Sequence, residues 1–223
     1  MYALLGICLT LATLFTINAL ASLLTTALWQ VLKRPLENCT AATRAATLFA
    51  LRFAPPLIAL VCVISLLIPA YVEHEPQTTE EVVGVKLILL AFASFVGIGL
   101  ACWRGLAAWR ATSRLTADWI HNAQPMTLPG VPVPTYLLQH NFPVIAVVGV
   151  LRPRLFIATQ IFEALNQEEV AAAIAHESGH ILSRDNLKRA LLRACHDALT
   201  IIPWGRSLER EWAQAAEAAA DEY

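Results

Sequence analysis

The chain has 223 residues, 57% of them hydrophobic and only 15% charged, with a formal net charge of −1 and a mean hydropathy of +0.56. Soluble domains carry roughly 45–50% apolar and about 25% charged residues, so the composition excludes a disordered chain, a coiled coil or an ordinary soluble enzyme throughout. Sixteen Lys and Arg against seventeen Asp and Glu leave no basic excess, and no nucleic-acid partner is expected.

The average hides a segregation along the chain. Met1 to Leu32 has no charged residue, Phe53 to Val72 is a second uncharged run, and Val82 to Trp103 carries only Lys86. About 20 apolar residues in a helix cross the roughly 30 Å hydrocarbon core, so three transmembrane helices are expected, at about 3–32, 53–72 and 82–103. Pro55, Pro56 and Pro69 fall near the ends of the second run, where a helix loses least. The first run has no positive n-region and is about twice the usual signal length, so it reads as a retained anchor. The first connection carries Lys33, Arg34, Arg44 and Arg52 against Glu37, and the second carries Glu73, Glu75, Glu80 and Glu81. Arg104, Arg110 and Arg114 follow the third run. The positive-inside rule then places the N-terminus outside and everything after Trp103 in the cytoplasm. The odd count of five cysteines without a C-x-x-C reads as small hydrophobes, not as a disulfide framework.

From about Ala111 the texture becomes that of a soluble domain. Thr112 to His121 reads as a continuation of the third helix, with Trp103, Trp109 and Trp119 as interfacial anchors. Pro125, Pro129, Pro132 and Pro134 mark a loop. Phe142 to Val150 and Leu155 to Thr159 read as two strands joined by a turn. Asn166 with Glu169 three residues on forms a capping-box pattern, and the helix it opens runs into His176-Glu177-Ser178-Gly179-His180.

H-E-x-x-H on a helix places both histidines on one face, four residues apart, so that His176 and His180 can aim at one ion. Glu177 is offset by one position, suited to taking a proton from a water in the open coordination site. Composition alone would produce about 0.01 such matches in this chain. Ser183 and Asn186 stand where a metzincin would need Gly and His, which excludes that class. The remaining source of a third ligand is a carboxylate on a second helix. Ser207 to Glu222 is helix-prone, with Glu217 and Asp221 four apart among small alanines. Glu217 can ligate while Asp221 fixes a histidine tautomer. Glu209 and Glu211 are rival carboxylates that read more simply as solvated helix charges.

Gly149 to Ile157, Glu168-Glu169, the His176 to His180 motif ahead of Arg184-Asp185, and Glu217 to Asp221 together resemble the integral-membrane gluzincin metallopeptidases. These include the HtpX/CAAX-prenyl-protease kind and the BlaR/MecR sensor peptidases, and the wording around Gly149 to Ile157 leans toward the latter. The resemblance implies a mainly α chain. A helical membrane domain over residues 1–110 would precede a zincin-like α+β metallopeptidase domain over 111–223 with a short β-hairpin. It implies one Zn²⁺ held by His176, His180 and Glu217, Glu177 as general base and acid, and Asp221 behind the ligands. No S-x-x-K occurs, so β-lactam sensing is not expected. The family continues the last helix and often adds a fourth span, so a fragment or truncated form is expected.

The expected function is membrane-bound zinc endopeptidase activity. Its partners would be a lipid bilayer and a protein or peptide substrate, and its site the cytoplasmic face of a bacterial inner or plasma membrane. A signal transducer or scaffold of the same fold with little proteolysis is the alternative. Among smaller features, His196-Asp197 reads as a helix-surface pair, and His74, His121 and His140 as solvated. Asp185 reads as half of an ion pair with Arg184 or as a helix cap. The edge of the hairpin is one place where an extended peptide could add as a strand.

Overall fold

A computed structural model of the chain describes residues 2–76, 83–139, 142–194 and 204–223. Glu80, Glu81, His140, Cys195, His196 and Asp197 lie outside the described residues. The fold is mainly helical, with 76% helix among the described residues, and the chain divides into two units. One comprises residues 1–39, 46–103 and 194–212; the other comprises 40–45, 104–193 and 213–223.

The first unit is built on helices long and apolar enough to cross a membrane, three among the described residues. Helix α1 covers Tyr2–Leu36, α2 Ala41–Cys62, and α3 Ile68–His74 continues α2 through a π-helical turn at Val63–Leu67. Helix α4 covers Val85–His121. Large apolar side chains such as Leu24, Val31, Phe92 and Phe95 are exposed along them, as faces turned to lipid must be. The hydroxyls of Thr16, Thr25 and Thr26 donate to carbonyls at Ala12, Ala21 and Ser22 one turn back, so these polar groups are satisfied within α1. The four described cysteines are free.

Two sequence expectations are corrected here. Pro55 and Pro56 lie inside α2, not near its start, because the helix begins at Ala41. For the same reason Arg44 and Arg52 are helix residues rather than loop charges, and Arg52 is buried. The π turn precedes Pro69. A proline ring clashes with the carbonyl four residues back, and widening the turn, with the Ile68 N–H donating to Val63 O, relieves that crowding.

The second unit contains a four-stranded sheet made of β1 Ala123–Met126, β2 Thr135–Leu138, β3 Ile145–Val148 and β4 Arg154–Ala158, in the order β1-β2-β4-β3. The expected hairpin is β3 and β4, paired antiparallel with Val147 opposite Leu155. The proline-rich stretch expected to be loop is corrected in part. It contributes β1, antiparallel to β2, while β2 runs parallel to β4. Pro125 is compatible with pairing because β1 is an edge strand, where a missing N–H need not break a ladder.

Central strand β4 is buried along its length, with Leu155, Phe156, Ile157 and Ala158 at 0% exposure. Alternation sends Leu155 and Ile157 to one face, into a core with Ile161 of α5 (Thr159–Ala164) and Val170 of α6 (Gln167–Ser183). Phe156 faces the other way, stacked on Tyr136 and edge-on to Trp119 of α4. Trp119, expected from sequence as an interfacial anchor, is half-buried and also packs on the sheet through Phe156. Helix α7 (Asp185–Ala194) follows α6 after one residue, and α8 spans Trp204–Asp221.

Candidate metal centre

Helix α6 starts where sequence placed it. The Asn166 side chain accepts from the Glu169 N–H at 3.0 Å, and the Glu169 carboxylate accepts from the Asn166 N–H at 2.9 Å. Both halves of the capping box are present. From the tenth residue of α6 on, His176 and His180 stand one turn apart with ring centroids 4.9 Å apart and planes nearly perpendicular.

Helix α8 brings the third group. Glu217 Oε2 lies 3.6 Å from His176 Nε2 and 3.4 Å from His180 Nε2, and donor atoms of the three residues lie within 4.8 Å of one another. These separations are long for hydrogen bonds. They are close to the roughly 3.3–3.5 Å between ligand atoms set by a tetrahedral zinc at about 2.0–2.1 Å from each. Contact between α6 and α8 requires small residues: a Cβ built on Gly179 would lie 3.1 Å from the Ala220 Cα and 3.3 Å from the Tyr223 Cβ.

Both imidazoles are oriented from behind. His176 Nδ1 is 2.8 Å from Asp221 Oδ1, and His180 Nδ1 is 2.8 Å from Asp185 Oδ2. Carboxylate acceptors at Nδ1 place the proton there and leave each Nε2 lone pair facing Glu217. The Asp185 hydrogen bond holds the His180 imidazole above its ordinary pKa, against the opposing effect of burial. The donor set, its spacing and the tautomers therefore fit a divalent metal of the zinc type.

Asp185 was legible only as a cap or an Arg184 partner. It reaches His180 because Arg184 adopts a left-handed conformation at φ 54, its N–H closing α6 on His180 O and Ile181 O. That single residue reverses the chain, so α7 begins with the Asp185 carboxylate under His180. A non-glycine residue in this region is uncommon and costs energy.

Four further contacts were not anticipated from sequence. Arg189 Nη2 lies 3.6 Å from Glu217 Oε1, so one carboxylate oxygen faces the histidines and the other a guanidinium. The Val147 N–H donates to Glu177 Oε2 at 3.2 Å, and Asn186 Nδ2 donates to Val147 O at 2.9 Å and Gly149 O at 3.2 Å. Both edge-facing groups of Val147 on β3 are thus already engaged. Burial pushes the Glu177 carboxyl above the usual carboxylate range, opposed by His180, His176 and the Val147 N–H.

Of the rival carboxylates, Glu211 is not part of this cluster. It pairs with Lys33 at 3.8 Å and accepts from Trp29 Nε1 at 3.4 Å, both on α1. His74 bonds back to Ala70 O at 3.2 Å in its own helix.

Residues 112–220, just under half of the chain, match the family model of peptidase family M48. That match covers the sheet, α6, α7 and Glu217, and it supports a metal-dependent peptidase. Among curated proteins and solved structures, no match to the chain was found.

Proposed function

We propose that this protein is a membrane-bound zinc endopeptidase that hydrolyses peptide bonds of membrane or cytoplasmic proteins. Among such enzymes the residues from Gly149 to Ile157 favour the HtpX-like and BlaR/MecR-like group. The observation that carries the reading is the convergence of His176, His180 and Glu217, with both histidines bonded through Nδ1 to carboxylates. The proposed domains are the membrane part over 1–110 and the peptidase part over 111–223. The proposed site faces the cytoplasm of a bacterial inner or plasma membrane.

In this reading His176, His180 and Glu217 hold the ion, and Asp221 and Asp185 keep the two rings turned toward it. Bound zinc supplies Lewis acidity, which polarises the scissile carbonyl and lowers the pKa of water to about 7. Glu177 takes the proton from the attacking water and returns it to the leaving amine. A carboxyl raised by burial holds a proton more readily than an exposed one, which suits that shuttle. The Val147 N–H holds the Glu177 carboxylate in place until substrate arrives. A cavity of about 370 Å³ beside His180, walled by Val150, Leu151, Pro153, Ile181 and Leu187, offers an apolar side chain of the substrate a place to bind.

Glu177→Gln is expected to retain one zinc per chain while losing cleavage of casein in detergent by at least a hundredfold, in keeping with loss of a general base. Full activity in that variant would sink the mechanism. Glu217→Ala is expected to lower zinc content, and equal zinc in that variant would remove Glu217 from the ligand set.

A further inference from the structure

A second cavity, of about 330 Å³, also has Val147 in its lining. Its apolar walls are Trp109 and Leu115 of α4 and Val148 and Val150 at the end of β3; its basic wall is Arg189 and Arg193 of α7. Arg189 and Arg193 are four residues apart and share one helical face. Among the described residues the lining contains these two guanidinium groups and no carboxylate. Trp109 and Arg193 are exposed, so the cavity is open to a ligand from solution.

Two contacts tie this cavity to the candidate site. Val147 lines it, and the Val147 N–H holds Glu177. Arg189 lines it, and its guanidinium lies 3.6 Å from Glu217. The cavity thus shares Val147 and Arg189 with the surroundings of Glu177 and Glu217, and offers there an apolar wall and a positive end.

We propose that this cavity is a specificity subsite for a substrate carboxylate, with Arg193 as its recognising group. The inference rests on the peptidase reading above and adds the chemistry of the preferred substrate: a negative group next to an apolar stem, close to the cleaved bond. Arg189 already faces Glu217, which leaves its neighbour one turn on to pair with the ligand. A guanidinium presents a planar fork that matches a carboxylate with two parallel hydrogen bonds. The carboxylate can be an acidic side chain or the C-terminus of the peptide.

The test uses the full-length, zinc-loaded protein in detergent and fluorescent peptides that differ at one position at a time. Each flanking position is Glu, Gln or Lys, and each peptide is made with a C-terminal acid or amide. Binding is read on the Glu177→Gln background, so no turnover is needed, and kcat/KM is read on the wild type. The wild type is expected to favour a carboxylate over its neutral amide counterpart at one position by about tenfold to a hundredfold, the range for a charge-assisted pair. A preference at an internal Glu assigns the side chain as source, and a preference for the C-terminal acid assigns the terminus.

Arg193→Glu is expected to abolish that preference and to favour Lys at the same position, a gain that misfolding cannot mimic. Arg193→Lys should keep part of the preference, since a point charge remains without the fork. Equal binding of all peptides by the wild type, or an acid preference that survives Arg193→Glu, would overturn the proposal. If casein is not cleaved at all, the peptidase reading fails, while the binding series still decides this inference.

Discussion

Two aspartates orient the two histidine rings, and their surroundings differ sharply. The Asp185 side chain is 6% exposed and the Asp221 side chain 72% exposed. Removing Asp185 leaves a buried Nδ1–H with no acceptor, and the full desolvation penalty of that group is incurred. It also strips Lys188 of a partner at 3.5 Å. Removing Asp221 lets water take the vacated position at His176. Asp185→Ala is therefore expected to weaken zinc binding by about ten- to a hundredfold, the range for loss of a group behind a ligand histidine. Asp221→Ala should weaken it by less. Competition with a chromogenic chelator measures both, and a larger loss at Asp221 would show that solvent does not substitute there.

At the scale of elements, the site depends on how closely α8 approaches α6. Gly179→Val would place a branched side chain where even a single Cβ already meets Ala220 at 3.1 Å. Overpacking of this kind costs about 1–3 kcal/mol, and here the relief is to move α8 and with it Glu217. Zinc affinity is expected to fall tenfold or more with helix content unchanged by circular dichroism. Gly99→Val, where no atom lies within 4 Å of an added Cβ, should leave zinc affinity as it was. The features legible in sequence were those encoded by local spacing. The capping box at Asn166, the helical four-residue spacings of His176 with His180 and of Glu217 with Asp221, and the β3–β4 hairpin all involve residues near one another in the chain. What sequence left open depends on tertiary choice. Proline density hid β1, because whether a proline is tolerated turns on the strand being at an edge. Asp185 reads by sequence as a cap or an Arg184 partner, and the left-handed turn at Arg184 brings it to His180 instead. The bridge from Asn186 to β3 spans 39 residues to Val147, and Arg189 meets Glu217 from another helix, so neither has a local signature.

For the whole molecule, the helices are longer than the bilayer and the excess is informative. The second span runs for 34 residues, Ala41–His74, which at about 1.5 Å per residue is about 51 Å against a hydrocarbon core of roughly 30 Å. Its uncharged part begins at Phe53, so in a bilayer residues 41–52 would project beyond the core and carry Arg44 and Arg52 to the side of Lys33 and Arg34. In the same way α4 continues past Trp103 with Arg104, Arg110 and Arg114. The loss of Arg44 and Arg52 from the loop thus leaves the charge argument intact, because the positive-inside bias counts residues within about 15–20 of a span end and not loop residues alone. The opposite side holds Glu73 and Glu75 with no Lys or Arg between His74 and Val85. A reporter active only outside the cytoplasm, fused after Glu75, is therefore expected to be active, and the same reporter fused after Arg114 silent. A reporter that fluoresces only in the cytoplasm should give the reverse pattern. Replacing Lys33, Arg34 and Arg44 by Gln should weaken the discrimination between the two fusion sites, since the bias then rests on the arginines after α4's apolar run. Fusions that place Glu75 in the cytoplasm would invert the membrane domain, and with it the side of the membrane on which His176 and His180 meet their substrate.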